Sequence, residues 1–183
     1  MHSSTPPHSA PSDSSSIIKI STTWGDINIV MADGKVASCH LPLLATQPAP
    51  PFAIKNNRTD MASTFITAAL TGKTFHMPNL GSAEGTNFQK QVWQAIAKIP
   101  IGKTTTYGQL AKAIGRPKAY RAVANACGKN PLPIFIPCHR VIAANGKIGG
   151  FSAGLPWKNL LLTAEQNKTP SGGHINGVIV SHI

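Results

Sequence analysis

Residues 107–128 read Tyr107-Gly108-Gln109-Leu110-Ala111-Lys112-Ala113-Ile114-Gly115-Arg116-Pro117-Lys118-Ala119-Tyr120-Arg121-Ala122-Val123-Ala124-Asn125-Ala126-Cys127-Gly128. Tyr107 to Ile114 has a helical pattern that Gly115 closes, because glycine accepts the left-handed backbone a helix end requires. Pro117 suits the first turn of a following helix, where its missing N–H costs nothing, and Lys118 to Cys127 continues that helix to a stop at Gly128. Two short helices joined by a tight glycine-containing turn predict a helix-turn-helix. Its second helix, carrying Lys118, Tyr120, Arg121 and Asn125, is the groove-facing one. Short helix pairs are common and most bind no DNA, so the pattern needs support from elsewhere in the chain.

Upstream, Thr86 and Gln89 form a capping-box pattern, Phe88, Val92 and Ile96 share one helical face, and Ile99-Pro100 ends that helix. Downstream, Pro131 to Pro137 is apolar and broken by proline, which predicts an extended buried segment leading into Cys138-His139-Arg140 and the apolar Val141-Ile142. Asn145-Gly146 and Gly149-Gly150 mark turns, and a last helix is expected over about Pro156 to Glu165. In the first half, Ile17–Ile20, Asp26–Val30 and Val36–Leu41 read as strands, with Asp33-Gly34 as a hairpin signal. The proline-rich stretch up to Phe52 excludes a regular element, and residues 60–72 predict a helix ending near Gly72. The expected organisation is a disordered tail over 1–15 and a small α/β domain over 17–82. A mostly α domain over 85–166 and a loose tail over 167–183 complete it.

The chain has 183 residues, 42% hydrophobic and 13% charged, as a folded globular protein should. Its apolar runs are far shorter than a membrane span needs, and the first 16 residues lack the basic start and apolar run of a secretory signal. A cytoplasmic, reducing location is expected, nucleoid-associated in a prokaryote. Cys39, Cys127 and Cys138 then stay free thiols, and they show no metal spacing. Residues 1–83 hold five Lys/Arg and four Asp/Glu, a net of +1. Residues 84–183 hold twelve Lys/Arg against only Glu84 and Glu165, a net of +10. A half so basic attracts polyanions, nucleic acid above all.

Cys138-His139-Arg140 has the ingredients of an activated nucleophile. A free thiol has a pKa of about 8.5, so neighbours must help form the reactive thiolate. His139 can take the proton directly or through a water. A carboxylate on the other ring nitrogen would complete a relay, and Glu165, on the last helix beyond a glycine-rich turn, is a better candidate than Glu84. A bare Cys-His pair alone is more often inert than reactive.

The wider pattern removes that ambiguity. Ile136-Pro137-Cys138-His139-Arg140-Val141-Ile142 resembles the active-site signature of the alkylguanine-DNA alkyltransferases, the methylated-DNA–protein-cysteine methyltransferases. Gly85-Thr86-Asn87-Phe88-Gln89 with Val92-Trp93, Tyr107-Gly108-Gln109-Leu110-Ala111, Arg121-Ala122-Val123 and Asn130-Pro131 resemble family segments in order and spacing. So do Gly149-Gly150-Phe151-Ser152, Gly154-Leu155, Lys158 and Glu165. The resemblance is close over 85–165 and loose over 17–82. It implies a ribonuclease H-like sheet in the first domain and single-turnover DNA repair in the second. An alkyl group on O6 of guanine, or O4 of thymine, would pass irreversibly to Cys138 after the base is flipped out of the duplex. His139 would activate the thiol through a water, Glu165 would orient His139, and Asn130 would order the active-site turn. Tyr107 would help rotate the nucleotide and hydrogen-bond guanine, while Val141, Phe151, Ser152 and Ala153 would shape the base pocket. Arg121 would fill the gap in the duplex, on a DNA-binding surface that includes Lys118, Ala122, Ala124, Asn125 and Arg140. The small residues Ala122, Ala124 and Ala126 would let that helix approach the DNA closely. No metal or organic cofactor is implied, and the partner is double-stranded alkylated DNA, met by a monomer away from any membrane.

The chain departs from the family pattern at Ala124 and Ala153, where glycine is expected, and at Phe151, where several relatives carry tyrosine. Ala153 is therefore expected to narrow the alkyl groups accepted. The family's four-cysteine zinc module is absent, and Cys39-His40 and His76 read as core or surface residues. A non-catalytic lesion-binding relative would have replaced Cys138. A zinc deaminase would show a Cys-x-x-Cys after the Pro-Cys and a His-x-Glu before it, and neither is present. A cysteine hydrolase would need a substrate cleft that nothing in the pattern suggests.

Overall fold

A computed structural model describes residues 15–44, 51–56, 58–144 and 146–166. The two expected tails (save Ser15), most of the proline-rich stretch and Asn145 lie outside the described residues. The chain begins with an antiparallel meander of β1 (Ser16–Thr22), β2 (Gly25–Ala32) and β3 (Lys35–His40), paired in that order. Asp33 and Gly34, at φ 50° and 71°, make the tight β2–β3 turn that the Asp-Gly pair signals. Alternation sends Ile20, Ile27 and Ile29 to the buried face, and a register shift between β2 and β3 at Val30/Met31 lets both Val36 and Cys39, three residues apart, join them. Helix α1 (Met61–Leu70) starts on Asp60, whose carboxylate accepts the Ser63 N–H, and ends beside Gly72 at φ 70°. Gly72 is obligatory there: a Cβ would lie 2.5 Å from the Ala164 carbonyl oxygen of the last helix.

Helix α2 (Asn87–Ala97) carries the expected Thr86–Gln89 capping box. A second capping box, Thr106 with Gln109, opens α3 (Tyr107–Ala113). Gly115 at φ 73° and the Arg116 N–H on the Ala111 carbonyl at 2.9 Å close it. Helix α4 runs Tyr120–Gly128, starting two residues later than the sequence suggests. Pro117 and Lys118 lie in the connecting turn, which the Ala119 N–H closes onto the Arg116 carbonyl at 2.9 Å. The Trp93 indole of α2 donates to the Ala126 carbonyl of α4 at 2.9 Å, fixing the two helices against each other.

After α4 the chain turns back through buried Leu132 to Ile136 into a single 3-10 turn, Cys138–Arg140. Two-residue strands β4 (Thr105–Thr106) and β5 (Val141–Ile142) pair in parallel and bring the start of α3 beside that turn. Helix α5 (Leu155–Gln166) completes a mixed α/β fold, with small sheets and five α-helices among the described residues. Both halves share one core. The Cys39 N–H donates to the Pro131 carbonyl at 2.9 Å, Phe65 stacks on Phe135 at 5.2 Å, and Trp157 donates to the Pro42 carbonyl at 2.8 Å. No helix among the described residues is long and apolar enough to cross a membrane.

Candidate active site

The 3-10 turn sets Cys138 and His139 in the interior, 5% and 1% exposed. Asn130 organises the turn with one side chain. Its amide nitrogen donates to the Ile136 carbonyl at 2.8 Å and to the Cys138 Sγ at 3.2 Å, and its oxygen accepts the Leu132 N–H at 3.0 Å. On the other side of the turn, α5 delivers Glu165, whose Oε1 lies 2.8 Å from His139 Nε2. Arg140 donates to the same carboxylate from Nε at 3.1 Å and from Nη2 at 2.8 Å, and the Gly102 N–H donates at 3.0 Å.

The charge states follow from these bonds. Burial works to raise the Glu165 pKa, but hydrogen bonds from His139 and Arg140 outweigh it and hold the carboxyl at about 2. Burial lowers the His139 pKa against the pull of Glu165, so the ring is neutral near neutral pH. A carboxylate has no proton to offer, so Nε2 of the neutral ring is the donor and Nδ1 carries the free lone pair. Nδ1 is the one buried side-chain nitrogen or oxygen without a hydrogen-bond partner among the described residues. Burial raises the Cys138 pKa, opposed by the Asn130 hydrogen bond and the positive charge of Lys158. The resting sulfur is a thiol beside a neutral base, with an amide donor and an ammonium ready for the thiolate.

A pocket of about 400 Å³ opens over Cys138, lined by Tyr107, Ala124, Asn125, Cys127, Phe151 and Ser152 together with Gly128 and Gly150. Tyr107 packs over Gly149, where φ is 71° and a Cβ would sit 3.0 Å from the phenolic oxygen, so the turn there must be glycine. Lys158 is fully buried and donates to the Val141 carbonyl at 2.7 Å and the Gly150 carbonyl at 3.1 Å, joining the two walls. Lys118, Arg121, Ala122 and Asn125 are exposed around α4, and the Arg121 guanidinium lies 5.7 Å from the Tyr120 ring centroid.

Three expectations are corrected. Arg140, expected on the DNA-binding surface, turns inward instead, with Nη1 on the Ile99 carbonyl at 2.6 Å and the rest of its guanidinium on Glu165, because the buried carboxylate needs a partner. Ala153 does not wall the Cys138 pocket. It is 7% exposed and borders a separate cavity with Cys39, His40 and Pro133. Ala126 is 2% exposed, with its carbonyl under the Trp93 indole of α2, and so is not on the open face of the helix. Conversely, Gly102 and Cys127 were not foreseen as parts of the site, and Lys158 appeared in the motif without a role. A lysine between Trp157 and Leu161 on the apolar face of α5 is the signal that could have marked it.

Fold and site together define a protein with a relay-supported cysteine at the bottom of a pocket, beside a helix whose exposed face carries Arg121. Residues 87–167 match the family model described as 6-O-methylguanine DNA methyltransferase, DNA binding domain. A methylated-DNA–protein-cysteine methyltransferase of Methanosarcina mazei is 56% identical over 84 residues, 46% of this chain and 53% of the relative. The chain thus matches about half the length of that relative. A probable methylated-DNA–protein-cysteine methyltransferase of Acanthamoeba polyphaga mimivirus is 38% identical over 151 residues, 82% of this chain and 96% of the relative. The crystal structure of Mycobacterium tuberculosis O6-methylguanine methyltransferase superimposes with a TM-score of 0.70 at 31% identity, covering 86% of this chain and 96% of that one. The chain belongs to the methylated-DNA–protein-cysteine methyltransferase family.

Proposed function

We propose that this protein repairs duplex DNA by moving an alkyl group from O6 of guanine to Cys138, once per molecule. The observation that carries the reading is a thiol at the floor of a base-sized pocket, held by Asn130 and followed directly by His139 on Glu165. The alkylated guanine is turned out of the helix, at a cost of a few kcal/mol, because stacked bases cannot be attacked. Helices α3 and α4 act as a helix-turn-helix with α4 in the minor groove, where readout is poor and any sequence can be served. Arg121 fills the space the base leaves. Lys118, Ala122, Ala124 and Asn125 meet the backbone around it.

His139 takes the thiol proton at Nδ1 through a water, and Glu165 stabilises the imidazolium. The sulfur attacks the alkyl carbon, the C–O6 bond breaks, and its electron pair leaves with guanine, which takes up a proton with the help of the Tyr107 hydroxyl. Val141, Phe151 and Ser152 hold the base. The thioether is stable, so no cofactor restores the thiol. The protein acts as a monomer in a cytoplasmic, reducing compartment. Residues 17–82 form a ribonuclease H-like scaffold for the domain of 85–166. Titrating the protein with duplex carrying O6-methylguanine tests this: removal should stop at one lesion per protein. Continued turnover would refute the reading.

A further inference from the structure

The thiol and its base open onto different cavities. Cys138 borders the front pocket, whereas His139, Arg140 and Glu165 border a second, small cavity behind the relay, of about 50 Å³. The far walls of this rear cavity come from the first half of the chain: Phe65 and Ala69 of α1, then Gly72 to Phe75. Ile101 and Ile134 close its sides. A single water needs about 10–15 Å³ of such space, so the cavity has room for a few. Lys73, Thr74, Phe75 and Ile101 are exposed, which puts its mouth at the surface. The close seat of Gly72 on the Ala164 carbonyl, one residue before Glu165, holds that wall against the relay.

We propose that the rear cavity is the route by which His139 hands the thiol proton to solvent. The inference rests on the alkyl-transfer reading. A flipped base fills the front pocket and the DNA covers it, so the imidazolium formed when Cys138 loses its proton needs another outlet. The charged and titratable groups around His139 are Glu165 and Arg140 in direct contact or network, Lys158 and Cys138 on the front side, and Lys73 at the rear mouth. The thiol proton arrives at Nδ1, the proton on Nε2 leaves by the rear to water, and the Tyr107 hydroxyl supplies the one that guanine takes up and regains it from solvent once the DNA departs, so charge and protons balance. Ala69 and the 72–75 segment are then positioning residues of the reaction, although they lie in the half of the chain far from α4.

Two substitutions fill the route without touching the relay: Ala69→Leu from the wall and Thr74→Trp at the exposed mouth, where folding is not at risk. Three quantities are compared with the unaltered protein: exchange of the His139 imidazole N–H by NMR, the single-turnover rate of methyl transfer from duplex DNA, and DNA affinity. The route predicts slower imidazole exchange and transfer slowed by about tenfold, a fraction of the usual general-base contribution, at unchanged affinity. A merely loosened relay would exchange faster while transferring more slowly, and that result overturns the proposal. So do exchange and transfer rates equal to those of the unaltered protein in Thr74→Trp. Absence of transfer in the unaltered protein is a different result and rejects the functional reading itself.

Discussion

Cys127 and Cys138 border one pocket, and the chain surrounds them differently. Cys127, in the last turn of α4, is pushed up to about 12 by burial and the proximity of Cys138, with Lys158 the main opposing charge. Cys138, eleven residues later in a 3-10 turn, has the same Lys158, but it also has the Asn130 amide at 3.2 Å and a neutral imidazole on the next residue, itself held by Glu165 at 2.8 Å. Position in the pocket is shared, while donor and base are not. A nucleophile is made here by the groups that receive its proton and its charge, and these arrive from the 130–140 loop and α5.

The largest effect should come from exchanging the two sulfurs. Cys138→Ala should abolish transfer and keep DNA binding, while Cys127→Ser should transfer at nearly the unaltered rate. A methyl group found on Cys127 in the first variant would break the comparison.

Next in size is removal of the relay. Glu165→Gln should slow transfer by about a hundredfold or more, within the range of a lost general base, with little change in DNA affinity. The pH dependence has a definite sign. His139 must be neutral to accept a proton, so the rate should fall on the acid side, below the ordinary 6.5 of a histidine, since burial lowers the ring pKa. Glu165 raises it, so Glu165→Gln should move this limb to still lower pH. Glu165 also contributes to stability: its carboxyl is held at about 2 against an ordinary 4.5, so this contribution is present above 4.5 and lost as pH falls towards 2. Thermal unfolding of the Gln variant should lack that acid-limb loss.

Smaller effects are expected on α4, where the comparison is between reaching the base and reacting with it. Arg121→Ala should slow repair of duplex DNA more than reaction with the free alkylated base, because only the duplex leaves a gap to fill. Equal slowing of both would remove the plug role. Binding should be indifferent to sequence and weaken steeply with salt, as phosphate contacts do. The smallest effect belongs to Ala153→Gly. With its methyl group in the cavity beside Cys39 and not over Cys138, the ratio of benzyl to methyl transfer should not change. A selective gain on the benzyl substrate would show instead that this alanine narrows the pocket.

The contrast also shows what a sequence displays. Helix ends and turns written locally were legible: Thr86 with Gln89, Gly72, Gly115 and the hairpin turn Asp33-Gly34 all sit where their backbone preferences place them. So was the His139–Glu165 pair, because the basic half offers only Glu84 as another carboxylate. Features that depend on long-range contact were not. Arg140 looks like a basic surface residue until the buried carboxylate that captures it is in view. Lys158 is fixed by two carbonyls from different turns, and the Thr105–Thr106 pairing with Val141–Ile142 is too short to leave a pattern. The shift of α4 to Tyr120 reflects a turn at Arg116–Ala119 that competes with a proline-started helix. Ala153 illustrates the period problem: in one turn Ser152 borders both the Cys138 pocket and the cavity beside Cys39, while the next residue, Ala153, borders the latter and not the former.

The most direct test of the account is the location of the product. The protein is mixed with an equal amount of duplex containing one O6-methylguanine, its intact mass is recorded, and the methylated peptide is sequenced. The account predicts complete conversion to a species carrying one methyl in place of one hydrogen, on Cys138. An unchanged mass while the duplex is bound, or a methyl group on any other residue, would contradict it.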